Sequence, residues 1–342
     1  MTLICSNIFR KSLNHLWARI YRDKFLSKYS YEQPLRSELF SNEQMQRHAK
    51  ALAKQHDVDL TPGKDLLLPR LYENEQILLQ VYELLKDAIA SKQWVAPASE
   101  WLLDNFFRIE EQIRISRQHL PKNYSRNLPH MLTGPLAGYP RIYDIAGEFI
   151  QHIDGLVDAE SLKSFVDAYQ TSRVLNLGEL WAVPIMLRLG LIENLRRISL
   201  HIAKARYDRD LADKWIDRII QTGETDPKSM IAVVANLAGS CPPLSSPFVA
   251  EFARRLEGQS LAFALPLTWI EERLSELGKT TRQMVLQNIQ QEAADKVSVG
   301  NCIRSFRILE SVDWRKFVEA TSAVERELSQ DPVGVYCQMD FA

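Results

Sequence analysis

The stretch ENEQILLQVYELLKDAIA, residues 73–90, decides the fold class. Its apolar side chains Ile77, Val81, Leu84 and Ala88 recur at intervals of four, three and four, which puts them on one stripe of an α-helix. The pattern repeats over residues 101–117, where the stripe is Leu102, Phe106, Ile109 and Ile113 and the off-stripe positions are Asp104, Glu111 and Arg114. Pro121 closes that helix, because the residue before a proline is pushed out of the helical region.

End signals extend the same reading. Ser41 with Gln44 forms a capping box for a helix running to about His56, and Asn176 with Glu179 has the same spacing before the apolar run 180–187. Asp158 can cap a helix presenting Leu162, Phe165, Val166 and Tyr169. Ser246 followed by Pro247 suits an N-cap with a first-turn proline, and Gly239 and Gly278 stand where helices end. Pro184 should kink or end its helix, and the long pattern from 177 to 221 should break near Tyr207. No period-2 strand is evident, and loops are expected at 59–68, 121–138 and 241–246.

The expected architecture is all-α, a multi-helix array of about ten helices, either as one body or as two packed helical subdomains. The expected partition is a basic N-terminal helical segment and linker at 1–70, a helical subdomain at 71–125 and a larger one at 138–342. Composition agrees. Only 13 glycines and 15 prolines occur in 342 residues, short of the ~12% share usual in globular chains, which disfavours turn-dense β folds.

Forty-two basic residues balance 43 acidic ones, so no overall field attracts nucleic acid, which is not an expected partner. Locally, residues 1–30 carry Arg10, Lys11, Arg19, Arg22, Lys24 and Lys28 against Asp23 alone. With Phe9, Leu13, Leu16, Trp17 and Ile20 interleaved, residues 6–29 could lie on an anionic membrane surface, or cover a neighbouring helix, the stronger of the two readings. Cys5, Cys241, Cys302 and Cys337 are too scattered for a disulfide framework or zinc knuckle. The most apolar stretch, 177–192, is interrupted by Glu179 and Arg188 and falls short of the ~20 residues a bilayer requires.

Chemistry-bearing motifs are few. The G-x-x-x-x-G-K-[ST] phosphate loop and the G-x-S-x-G elbow do not occur. The histidines His15, His48, His56, His119, His130, His152 and His201 show no zinc-ligand spacing and read as surface or capping residues. Asp57-Val58-Asp59 and Asp208-Arg209-Asp210 have the form that holds a nucleotide-sugar's metal, but neither follows a strand, and both read as solvated acids. Asp144, Glu148, Glu271 and Glu272 qualify by type as the acid and base of glycoside hydrolysis, with paired carboxylates on solvated helices as the stronger reading. Trp17, Trp94, Trp215 and Trp269 join Trp101, Trp181 and Trp314 as possible sugar-stacking rings, though the last three read as core. Arg196, Arg197, Lys204 and Arg206 could receive a phosphate but read as a solvated helix face. No catalytic, cofactor-binding or metal residue is assigned.

Longer strings say more. Trp101-Leu102-Leu103-Asp104-Asn105-Phe106 with Glu110-Glu111-Gln112-Ile113-Arg114, Leu120-Pro121-Lys122-Asn123-Tyr124-Ser125-Arg126, and Gly138-Tyr139-Pro140-Arg141-Ile142-Tyr143 are three of them. Others are the run from Leu177 to Arg188 continued by Glu193-Asn194-Leu195-Arg196-Arg197, the run from Ser298 to Ser305 with Asp313-Trp314, and Asp331-Pro332-Val333-Gly334-Val335-Tyr336 with Met339-Asp340-Phe341. In this order they resemble the N-terminal region of bacterial cyclic β-1,2-glucan synthases, over roughly residues 73–342.

The resemblance implies an inner-membrane enzyme that uses UDP-glucose as donor with a divalent metal, its transferase and hydrolase-type domains following the matching region. The transferase's Q-x-x-R-W signature and membrane spans do not occur in these 342 residues, so no catalytic residue carries over. The segment is expected to be soluble, on the cytoplasmic side of the inner membrane, and non-catalytic alone. Its expected partners are the transferase and membrane domains. Two alternatives stand beside this: a self-contained helical carbohydrate-active enzyme using the four carboxylates above, and a free-standing helical interaction module.

Overall fold

The computed structural model describes residues 32–91, 93–258, 263–331 and 336. In chain order the elements are α1 (Asn42–Gln55), β1 (Val58–Asp59), α2 (Leu67–Ala90), α3 (Pro97–Asp104), α4 (Phe106–His119), β2 (His130–Met131), α5 (Arg141–His152) and α6 (Ala159–Gln170). There follow α7 (Leu177–Thr225), α8 (Met230–Gly239), α9 (Ser246–Leu256), α10 (Ala264–Glu276), α11 (Thr281–Ser311), α12 (Trp314–Thr321) and α13 (Ala323–Leu328). The protein is all-α as its periodicity predicts, with thirteen helices among the described residues rather than about ten. The basic segment 6–29 lies outside the described residues.

The helices form two compact units that interleave along the chain. Among the described residues, one comprises 33–91, 99–199, 296–331 and 336, and the other takes 200–258 and 263–295 together with 32 and 93–98. In the first, α1 packs on α6, α2 on α4, and α12 on α6. Its centre is the first part of α7. From 182 to 200 nearly every α7 residue is buried, the mark of a helix surrounded on all sides. The second unit is built on an apolar cluster: Ile216 and Ile219 of α7, Val233 and Leu237 of α8, Phe248 and Phe252 of α9, and Ile270 and Leu274 of α10.

Several end signals act as the sequence predicts. The Ser41–Gln44 box is reciprocal, and so is the second one, where the Glu179 amide donates to Asn176 Oδ1 at 2.8 Å and the Asn176 amide to Glu179 Oε2 at 2.9 Å. Asp158 caps α6 through the Ser161 amide. Gly278 takes φ 68° just past α10. Others differ. The N-cap of α9 is Ser245, and Gly239 is the last helical residue of α8, the left-handed turn falling instead on Cys241. The segment 101–117 is two helices parted at Asn105, with the predicted stripe buried in both, and on α2 it is Leu85 rather than Leu84 that is buried.

The expected break in α7 does not occur. The helix runs through Pro184 and past Tyr207 to Thr225. Pro184 removes one backbone hydrogen bond, that to the Leu180 carbonyl, and the buried side chains on either side hold the helix in spite of it. A small sheet also forms where only loops are expected, with Val58 opposite Met131 and Asp59 opposite His130. The first D-x-D therefore does enter a strand. Its Asp59 carboxylate is occupied locally, accepting from the Thr61 amide and hydroxyl at 2.8 Å each.

The turn between α5 and α6 is fastened to α11 by side chains. Ser305 Oγ donates to the Gly155 carbonyl at 2.7 Å and accepts from the Val157 amide at 2.8 Å, and Asn301 Nδ2 donates to the Asp154 carbonyl at 3.1 Å. Gly155 has φ 74°, and a Cβ there would meet the Cys302 sulfur at 2.8 Å. Burial pushes the Cys302 thiol up to about 12. Gly155→Ala is expected to destabilise the protein by about 1–3 kcal/mol through backbone strain and this contact, read from urea unfolding. Unchanged stability would mean the turn can relax.

Candidate functional site

One group of side chains has the composition of a ligand set. His48 comes from the middle of α1, Glu148 and His152 from successive turns of α5, and their nearest ring nitrogens and carboxylate oxygen lie within 4.8 Å of one another. His48 Nε2 is 2.8 Å from Glu148 Oε2, and His152 Nε2 is 3.9 Å from the same oxygen. Gln151 Nε2 donates to that oxygen at 2.6 Å. His152 Nδ1 lies 2.9 Å from the Glu38 carbonyl, which can only accept, so this nitrogen carries a proton, and Nε2 is the nitrogen of the neutral ring that offers a lone pair. The Phe40 ring stacks on His152 at 3.8 Å and 9°. Segment 37–40 is held there because the Ser37 and Phe40 amides donate to the Gln151 and His152 carbonyls, groups that the end of α5 leaves unpaired.

A second, ionic cluster lies in the interior of the same unit. Glu193 on α7 is 3% exposed. Arg70 of α2 grips it with two nitrogens at 3.0 and 2.7 Å, while Arg196 and Arg197 reach it at 2.7 and 2.9 Å. Burial alone would push the Glu193 carboxyl up, but the three guanidinium charges and the Arg70 hydrogen bonds outweigh it and hold the group well below the usual carboxylate range. Burial raises the Tyr143 phenol beside the cluster. Nearby, Arg141 pairs bidentately with the fully buried Glu179 at 2.8 and 2.6 Å. Each carboxylate has its compensating cation, so the clusters bind helix to helix.

Several residues singled out from the sequence are placed differently from their expected settings. His130 and His152 are buried rather than at the surface or in caps, and His56, which does stand at the C-cap of α1, is buried as well. His56 bridges Tyr169 Oη at 2.8 Å and Asp144 Oδ2 at 3.2 Å, and His130 sits under Gly63, where a Cβ would meet its ring at 2.6 Å. Burial lowers the His130 pKa, the Asp59 charge opposing. His201 pairs with Asp295 at 2.6 Å, His119 is exposed, and His15 lies outside the described residues. Arg196 and Arg206 are buried, not part of a solvated face, and Asp208 is buried with its carboxyl pushed up. Trp101 and Trp181 are 44% and 39% exposed rather than core. Trp314 is half-buried, its indole N–H donating to the Leu309 carbonyl at 2.9 Å.

Of the four carboxylates considered for glycoside hydrolysis, Asp144 and Glu148 belong to one unit and are engaged by His56 and His48. Glu271 and Glu272 are exposed on α10 in the other. Glu271 borders an open hollow of about 600 Å³ with Glu257, Lys279 and Arg282, and no described aromatic ring lines it. Sequence reasoning missed the His48–Glu148–His152 group because its members are split between two helices a hundred residues apart. The single local signal was Glu148 and His152 at i,i+4.

The chain is similar to a bacterial cyclic β-glucan synthase. That relative is the cyclic beta-(1,2)-glucan synthase NdvB of Rhizobium meliloti (strain 1021), 28% identical over 334 residues. The match covers 96% of this chain and 11% of the relative, so the chain spans about a tenth of that protein's length. No family model matches the chain. The resemblance seen in the quoted strings is thereby shown, and the similarity also takes in residues before Glu73. No helix among the described residues is long and apolar enough to cross a membrane.

Glu193 gives a direct test of the ionic interior. Its pKa is lower folded than unfolded, so its stabilisation is full above the unfolded value of about 4.3 and is lost as pH falls below it. Glu193→Gln is expected to cost about 3–5 kcal/mol at pH 7, since it strands buried guanidinium charge. The gap from the parent chain should narrow as pH drops below about 4. Urea titrations at several pH values measure it, and a gap independent of pH would remove the ionic account.

Proposed function

We propose that this chain is a helical scaffold segment of a cyclic β-(1,2)-glucan synthase and performs no glucosyl transfer itself. The observation that carries the reading is the 28% identity running through 96% of the chain. The polar residues supplied by the quoted strings lend support, because they build interior ties rather than an open cleft. Arg141 meets Glu179, Arg196 and Arg197 meet Glu193, and Asn301 and Ser305 fasten the turn at Asp154 and Gly155. In this reading the segment packs with the transferase and membrane domains of a synthase that polymerises glucose from UDP-glucose at the cytoplasmic face of the inner membrane. The donor and its divalent metal are held by those other domains.

Incubating purified residues 1–342 with labelled UDP-glucose and a divalent metal tests the catalytic part. No glucan above an enzyme-free blank is expected, and appreciable polymer would refute the scaffold reading. Reading the gene beyond codon 342 tests the membership: a frame encoding membrane spans and a Q-x-x-R-W transferase is expected, and an unrelated neighbour would favour a free-standing interaction module.

A further inference from the structure

We infer that His48, Glu148 and His152 form a binding site for one divalent cation of the zinc class. The donor set is two imidazoles and one carboxylate, a combination that borderline cations such as Zn²⁺ prefer over the all-oxygen sets of Mg²⁺ or Ca²⁺. Zinc bonds of about 2.0–2.1 Å in a tetrahedron place neighbouring donors roughly 3.3 Å apart. The spacings here, 2.8 and 3.9 Å about Glu148 Oε2 with all three donors within 4.8 Å, straddle that value. Small side-chain adjustments suffice.

The surroundings are arranged as a ligand shell requires. The Glu38 carbonyl takes the His152 Nδ1 proton and so aims the Nε2 lone pair inward, the support that metal-bound histidines customarily have. Gln151 donates to the Glu148 carboxylate and its amide lies 3.5 Å from His152 Nε2, consistent with an acceptor there. Phe40 covers one face of the His152 ring and Phe165 lies beside His48. His152 is the last residue of α5, where the helix dipole favours positive charge. His48 and Glu148 are each about a quarter exposed, leaving a path for the ion and a water as fourth ligand. On binding, the proton on His48 Nε2 facing Glu148 gives way to the ion, moving to Nδ1 of a neutral ring or to solvent from a cationic one, so that His48 binds as a neutral imidazole. The inference concerns this unit alone and does not depend on the glucan reading.

The test is titration of metal-stripped residues 1–342 with Zn²⁺ against a chromophoric chelator, with Co²⁺ absorption as a report of geometry. One Zn²⁺ per chain is expected with Kd of about 1 μM or tighter, and Co²⁺ should show tetrahedral visible bands. His48→Ala, Glu148→Gln and His152→Ala should each weaken Zn²⁺ at least about 100-fold, beyond what loss of an outer supporting group costs. His201→Ala, in the other unit, should leave it unchanged. Circular dichroism checks each fold. Should His152→Ala unfold, the partly exposed His48→Ala decides alone. Absence of binding at about 100 μM Zn²⁺ overturns the inference, as does binding that survives His48→Ala in a folded chain.

Discussion

The interior of the larger unit depends on keeping one carboxylate ionised away from water. Glu193 lies on the most enclosed part of α7, and an unpaired charge there would cost many kcal/mol. Three arginines remove that cost, one from α2 and two from α7 itself, at i,i+3 and i,i+4. Because the guanidinium of Arg70 approaches with a two-nitrogen fork, the pairing fixes how α2 and α7 slide and rotate against each other. Lysine could neutralise the charge but could not supply that register.

Around this pair the polar groups of the unit are organised in the same manner, each helix end or turn answered by a side chain from elsewhere. Arg141 satisfies Glu179, which also caps α7 at Asn176. His56 joins Tyr169 on α6 to Asp144 on α5, and burial pushes the Tyr169 phenol up to about 12. Such directional contacts select one packing among the many that apolar stripes allow. The second unit shows the contrast. Its main core cluster is aliphatic and aromatic; pairs such as Arg255 with Asp213 and Asp217 lie toward the surface, where each contributes little, while His201 with Asp295 and Arg209 with Glu292 are largely buried.

What could be read beforehand follows from the range of each interaction. The stripe Leu102, Phe106, Ile109 and Ile113 and the caps at Ser41, Asp158 and Asn176 are set by neighbours within four residues, and the structure agrees with them. The break expected near Tyr207 misled for the opposite reason. Helix continuity there is set by burial against distant segments, which local propensity cannot register. The same holds for charge. Arg196 and Glu193 look like a solvated face when only their spacing is known, and their burial follows from α7 being enclosed on all sides. The interleaving of the two units is beyond any linear partition, since α7 and α11 each contribute to both.

The histidine group extends this reasoning to function. His152 could have served merely as a filler beneath Phe40, yet a filler needs no particular tautomer. The Glu38 carbonyl imposes one, and it is the tautomer that directs a lone pair toward Glu148 and His48. In the ionic cluster, by contrast, the donors of the arginines meet acceptors of the glutamates and the charges close on themselves. Among the described residues, two imidazoles sharing one carboxylate oxygen is an arrangement with more acceptor capacity than its own protons occupy. That surplus is what a cation uses, and a cation there would tie α1 to the end of α5.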